Sequence, residues 1–377
     1  MDWRTAWFDF EDVAYLNTAG QGPLPRVAIR AAQAALEWKK FPHQLPDSAY
    51  FELPDRIRAL LAQIIGGKPE EIALTTGASA GLAAVANSFD WQPNDEVLIA
   101  RDEFPAHFAT WMPLAQAGRL KVKLVEPKGR FLGAEDFLAQ MGPRTRIVST
   151  SLVRFDDGTR IDAAQLARAC RERGALLLLD ASQCAGAMPM DVAALGADFV
   201  VSSGYKWLLS PYGTGFFWAR SDVIERMRPA PCYWMALEGA AQFHALIMTE
   251  GRPSAGARRW DAPETGSFFN LAPMQASLEF LMQTGVATVW QHNQRLMAEI
   301  VERLPLDRCV LASPAEPAAR GPYLCIAARS AEKTSALYER LRETKVFVSL
   351  REGALRIAPH LYNSSRDLDR LLAVLAV

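Results

Sequence analysis

Residues 175–220 read ALLLLDASQCAGAMPMDVAALGADFVVSSGYKWLLSPYGTGFFWAR, and this stretch decides the fold. It opens on a continuous apolar run, Leu176–Leu179, that ends in Asp180. A second run, Phe199–Ser202, leads into Ser203-Gly204-Tyr205-Lys206-Trp207. A Pro/Gly turn then precedes a third run, Gly215–Trp218. Short apolar runs without polar alternation predict strands buried on both faces, as in a parallel sheet covered by helices. Working outward, the same pattern predicts strands at Ile72–Thr75, Val97–Ala100, Val122–Val125 and Ile147–Ser151. Helical spacing at 79–89, 105–117, 134–141 and 162–173 separates several of them, and further helices are expected at 24–40 and 54–65. The expectation is an α/β fold built on a mostly parallel seven-stranded sheet. Ligands in such sheets sit beyond the carboxyl ends of the strands.

The pattern changes after about residue 230. Residues 230–262 are irregular and rich in aromatic side chains, and a long helical stretch follows at about 273–303. The remainder predicts a smaller α+β unit, with strands Tyr323–Ala327, Phe347–Ser349 and Ala354–Ile357 and helices at about 331–343 and 365–375. Residues 1–275 are therefore expected to form a large domain and 276–377 a small C-terminal one, consistent with ~150 residues per domain.

Composition narrows the class without choosing a function. Hydrophobic residues are 50% and charged residues 22% of the chain, which argues against disorder, collagen and coiled coil. The net charge is −1, from 41 basic and 42 acidic side chains, so no nucleic-acid partner is implied. Five scattered cysteines without a C-x-x-C pair read as reduced thiols, with no disulfide framework and no zinc site. The N-terminal residues show no basic region followed by an apolar run, and the longest aliphatic stretch is too short to span a bilayer. A cytoplasmic protein with no membrane contact is expected. No G-x-G-x-x-G follows the first strand, which excludes a Rossmann-type nucleotide site.

Each strand of the 175–220 stretch delivers polar residues at its carboxyl end. That arrangement suits an electron sink built on a pyridine ring. A lysine forms a Schiff base with an aldehyde when its amine is neutral. A carboxylate beside the ring nitrogen keeps that nitrogen protonated, so the ring accepts electrons from the substrate α-carbon. Lys206 and Asp180 are the natural pair, and Gln183 is placed to donate to the ring's phenolic oxygen.

The order D-x-x-Q, then S-x-x-K and a Gly-rich turn, resembles the core of the class V aminotransferase family of pyridoxal 5'-phosphate (PLP) enzymes. That family includes cysteine desulfurases, selenocysteine lyases, isopenicillin N epimerase-like proteins and kynureninases. The resemblance implies a fold type I PLP enzyme with Asp180 at the pyridine nitrogen, Gln183 at the phenolic oxygen and Lys206 as the Schiff-base lysine. Thr75-Thr76-Gly77-Ala78-Ser79 resembles the family's phosphate turn, which implies Ala78 and Ser79 as phosphate contacts. Ser203 and Tyr205 match two further phosphate contacts, the tyrosine standing where cysteine desulfurases have histidine. Glu264-Thr265-Gly266-Ser267 resembles the turn that reaches the neighbouring subunit's phosphate, so the resemblance implies Ser267 in that role and a homodimer with shared active sites. Asp102-Glu103-Phe104-Pro105-Ala106-His107 is similar to the E-F-P segment of epimerase-like members. It implies Phe104 over the ring, with His107 expected on the helix surface or lining the pocket.

At the substrate end, a carboxylate is gripped best by a bidentate arginine. Arg356-Ile357-Ala358-Pro359-His360-Leu361-Tyr362-Asn363 resembles the family's carboxylate-binding segment, which implies Arg356, with Arg351 a nearby rival. Tyr15-Leu16-Asn17-Thr18-Ala19-Gly20 resembles the segment that lines the substrate entrance, and Asn17 is the candidate there. Many members place an asparagine before the glycine aligned with Gly158; here Arg154 has two readings, meeting an acidic substrate group or pairing with Asp156 or Asp157. Residues 346–353 contain no cysteine where desulfurases carry their catalytic one, and Cys325 falls in an expected strand. The resemblance thus implies an enzyme acting at the α-carbon of an amino acid or related amine. Aminotransferase comes first, a lyase or epimerase is the alternative, and a persulfide-forming desulfurase is disfavoured.

Overall fold

The structure, a computed structural model, describes residues 2–228, 233–246, 251–264 and 267–377. Cys232, the Thr265-Gly266 pair and parts of the aromatic-rich stretch (230–232 and 247–250) lie outside the described residues. The chain enters through a short helix, Trp3–Trp7, a two-residue strand, β1 (Ala14–Tyr15), and a helix, Arg26–Lys40. Seven strands then form the large sheet: β2 (Ile72–Thr75), β3 (Glu96–Ala100), β4 (Lys121–Val125), β5 (Thr145–Ser151), β6 (Leu176–Asp180), β7 (Phe199–Ser203) and β8 (Gly215–Ala219). Their spatial order is β2-β8-β7-β6-β5-β3-β4. Only β8 runs antiparallel to its neighbours, and the remaining pairs are parallel.

Period-two alternation explains why these strands carry no polar face. Leu177 and Leu179 join one core cluster with Val148, Val200 and Phe216. The intervening Leu178 joins a second cluster with Ile147, Val201 and Phe217. Both faces are therefore covered by helices, and each fully buried leucine contributes roughly 1.5–3 kcal/mol. Every strand expected in this sheet forms within two residues of its expected bounds.

The C-terminal part adds β9 (Cys309–Leu311), β10 (Leu324–Ala328), β11 (Val346–Phe347), β12 (Ser349–Arg351) and β13 (Ala354–Ile357). The last two join β10 and β9 in an antiparallel sheet of order β12-β13-β10-β9. The strand expected at 347–349 is two strands, because Val346–Phe347 pairs in parallel with β1 while Ser349–Arg351 pairs with β13. Ala14 and Leu16 pack in one core with Leu324, Ile326, Leu355 and Ile357, so the N-terminal segment folds onto this unit. The long helix expected at 273–303 is two helices, Phe268–Thr284 and Val286–Glu302. Gly285 between them has φ of 83°, a left-handed conformation that no regular helix tolerates.

One close approach positions the site. The N–H of Gly22 donates to the Tyr205 carbonyl at 2.8 Å. A Cβ at Gly22 would stand 2.0 Å from the Lys206 carbonyl oxygen, so only glycine lets the N-terminal segment lie there.

Candidate active site

The carboxyl ends of β5, β6 and β7 gather Ser151, Asp180 and Ser203 at one edge of the sheet: Ser151 pairs with Asp180, and Ser203 lies two residues beyond Val201, the partner of Asp180. Lys206 follows three residues beyond β7. Its side chain is only 6% exposed, and its Nζ lies 5.1 Å from the centroid of the Phe104 ring and 5.6 Å from that of Tyr205. Burial lowers the amine pKa to about 8, partly opposed by Asp180 and assisted by Arg356 and Arg351. Asp180 is buried, and its Oδ1 accepts the N–H of Ser182 at 2.8 Å. Gln183 is buried too, donating to the Ala19 carbonyl at 3.1 Å and accepting the indole N–H of Trp207 at 3.2 Å.

Beside Lys206 lies a cavity of about 200 Å³ whose lining includes Thr76, Ser79, Phe104, Ser203, Tyr205 and Lys206. The helix Ala78–Asn87 begins on its wall, and its first residues Ala78, Ser79 and Ala80 line it. Ala78 N–H donates to Ser203 Oγ at 3.2 Å, and Ser203 N–H donates to Ser182 Oγ at 3.0 Å. The Tyr205 ring lies 4.4 Å from that of Tyr212, and burial raises its hydroxyl pKa. Ser267 precedes the helix Phe268–Thr284 and is not among the residues lining this cavity.

At the opposite end, Arg356 on β13 is 2% exposed. It donates from Nη1 to the Phe155 carbonyl at 3.0 Å and from Nη2 to Ser349 Oγ at 3.5 Å, while its Nε is buried without a partner. Its guanidinium also lies 5.6 Å from the Tyr323 ring centroid. Burial lowers its pKa. Ser349 Oγ in turn donates to the side-chain oxygen of Asn17, so Asn17 meets Arg356 through Ser349. Arg154 Nη2 lies 2.6 Å from Asp156 Oδ2 and also donates to the Asp102 carbonyl at 2.8 Å. Cys325 is buried in β10, and burial pushes its thiol up to about 12, so it is core and inert as a nucleophile.

Two residues of the E-F-P-A-H segment take places that sequence reading missed. Glu103 is 3% exposed and accepts four hydrogen bonds, from Phe104 N–H, Thr150 Oγ1, Ser151 N–H and Ser151 Oγ, at 2.7–3.0 Å. Burial opposes its ionisation, but His107, Arg154 and the Ser151 hydrogen bonds outweigh it and hold the carboxyl below its ordinary range. It ties Phe104 to the end of β5. His107 is neither on the helix surface nor lining the pocket; it is fully buried, with Nε2 3.9 Å from Asp180 Oδ2. The signal was the spacing of His107 and Trp111, one helical turn apart, which puts both on the inward face.

Comparison with known proteins matches the chain over nearly its whole length. The family model described as aminotransferase class-V matches residues 14–371. An isopenicillin N epimerase from Streptomyces clavuligerus is 28% identical, over 95% of this chain and 93% of that protein. A kynureninase from Xanthomonas oryzae is 29% identical, over 95% of this chain and 89% of that protein. Among solved structures, the cystine C–S lyase C-DES in complex with cysteine persulfide superposes with a TM-score of 0.87, covering 97% of this chain and 98% of that one at 22% identity.

Proposed function

Because the chain belongs to the class V aminotransferase family, we propose that it acts at the α-carbon of an amino acid or related amine and transfers its amino group. The cofactor of this family is pyridoxal 5'-phosphate, and the residues around Lys206 fit it. The observation that carries the reading is Lys206 itself: a buried amine with its pKa lowered to about 8, beside the Phe104 ring and the end of β6. Lysine is otherwise rarely buried without an ion pair, and among the described residues no carboxylate lies within 4.0 Å of it.

In this reading Lys206 would hold the aldehyde carbon, Asp180 the ring nitrogen, Gln183 the phenolic oxygen and Phe104 one ring face. Ala78, Ser79, Ser203 and Tyr205 would hold the phosphate at the helix N-terminus. When bound, the cofactor supplies an electrophilic carbon and a ring that withdraws electrons from the substrate α-carbon. Arg356 orients the substrate carboxylate, and Asn17 steadies Arg356 through Ser349. Burial lowers the Lys206 amine pKa, which favours its neutral form, and Nζ would take and return the proton at the α-carbon. Arg154, paired with Asp156, shapes the entrance rather than meeting the substrate directly. Ser267, absent from its own chain's cavity, reaches the partner subunit's site in a cytoplasmic homodimer. The exposed apolar side chains Ile29, Leu36 and Phe269 support such a contact.

A second reading, a lyase or epimerase, is favoured by Phe104 and Tyr205, which resemble kynureninase-like and epimerase-like members. One experiment separates these readings. Purified protein supplied with pyridoxal phosphate gains a visible absorption band, and Lys206→Ala abolishes it. Incubation with single amino acids and no keto acid then converts the cofactor to its amine form if the protein is an aminotransferase. Release of ammonia, sulfide or alanine marks a lyase, and a protein that stays colourless overturns both readings.

A further inference from the structure

Asp180 does not stand alone behind the cavity. His107 Nε2 lies 3.9 Å from Asp180 Oδ2 and has no hydrogen-bond partner, although the residue is fully buried. The other ring nitrogen, Nδ1, lies 2.9 Å from Ser149 Oγ, and the same oxygen accepts the indole N–H of Trp111 at 3.0 Å. Trp111, Ser149 and His107 are all fully buried.

Hydrogen counting and the facing carboxylate together point to one assignment of the ring. An indole N–H only donates, so Ser149 Oγ accepts from Trp111 and has its single hydrogen left for His107 Nδ1. A neutral imidazole that accepts at Nδ1 carries its proton on Nε2. The protonated ring carries one there as well. The remaining tautomer would turn a nitrogen lone pair toward a carboxylate between two buried side chains, which is electrostatically unfavourable. A hydrogen on Nε2 therefore faces Asp180 Oδ2, while Ser182 N–H holds Oδ1. The other carboxylate in the field of His107 is Glu103, which is occupied by its four donors.

We infer that His107 is a positioning residue: oriented by Ser149 and Trp111, it presents Nε2–H to Asp180 and keeps that carboxylate aimed at the ring nitrogen of the cofactor. The inference rests on the cofactor reading above. At 3.9 Å the contact is longer than a hydrogen bond and acts through the field between the two buried groups.

The test uses two variants and one spectrum. His107→Phe keeps the bulk and removes the donor, whereas His107→Gln keeps an N–H near the position of Nε2. His107→Phe is expected to bind pyridoxal phosphate about tenfold more weakly and to shift the visible absorption maximum, with most of both effects restored in His107→Gln. If His107→Phe folds and matches the wild type in affinity and absorption maximum, the inference is overturned. Nitrogen-15 labelling of the five histidines in the wild-type chain tests it even if the variant fails to fold. A proton on Nε2 of His107 supports the inference, and a bare Nε2 overturns it. A wild type that takes up no pyridoxal phosphate overturns the cofactor reading instead.

Discussion

Lys206 and Phe104 face each other across the candidate active site, with Nζ 5.1 Å from the ring centroid, although the two residues are 102 positions apart. Phe104 is held there from two sides. Its N–H donates to Glu103, which is anchored on Thr150 and Ser151, and its ring meets that of Phe155 edge-on at 5.3 Å.

Removing that ring takes away one face of the pocket. Phe104→Ala is expected to weaken pyridoxal phosphate binding roughly threefold to tenfold, in line with aromatic pair energies of about 0.5–1.5 kcal/mol. Spectrophotometric titration measures this directly. An unchanged affinity would remove Phe104 from the site.

The lowered amine pKa of Lys206 makes a pH-dependent statement about stability. Between about 8 and its ordinary value of 10.5 the unfolded chain holds a proton on this amine that the folded chain has released. Stability of the cofactor-free protein therefore rises with pH through that window, and the burial cost is fully present below pH 8. Lys206→Met is expected to stabilise the cofactor-free protein by roughly 1–3 kcal/mol at pH 7, the gain shrinking as pH approaches 10.5. Denaturant unfolding at several pH values checks it; a gain that grows with pH would contradict the assignment.

Arg356 offers a planar fork already oriented by Phe155 and Ser349. Arg356→Lys keeps the charge and loses the fork, so KM for an amino acid is expected to rise roughly tenfold or more while pyridoxal phosphate affinity stays put. Steady-state kinetics alongside the cofactor titration separate the two quantities. Equal losses in both would mean that Arg356 supports the fold instead of the substrate.

Gly22 is a packing prediction with a functional readout. A methyl group there meets the Lys206 carbonyl at 2.0 Å, against backbone that cannot swing aside. Gly22→Ala is expected to cost about 1–3 kcal/mol of stability and to slow cofactor uptake, because Lys206 must shift. Thermal unfolding and the rate of colour development would show it.

Part of this was legible along the chain and part was not. Leu176–Leu179 and its companion runs could be read as doubly buried strands because their signal is local, a run of apolar side chains bounded by turns. Asp180, Ser203 and Lys206 followed from them, since residues just past parallel strands must gather at one sheet edge. Strands β1 and β9 were not legible: two or three residues hold no period, and each exists only because a distant segment offers it backbone partners. The pairing of Arg154 with Asp156, the link from Asn17 to Arg356 through Ser349, and the burial of His107 against Asp180 belong to the same class. The sequence by itself determined the sheet and the residue types at its carboxyl edge, because hydrophobic burial and strand period act over a few neighbours. Only the tertiary structure decided which polar group each of those residues meets, because hydrogen bonds and ion pairs reach a few ångströms in space and take no account of distance along the chain.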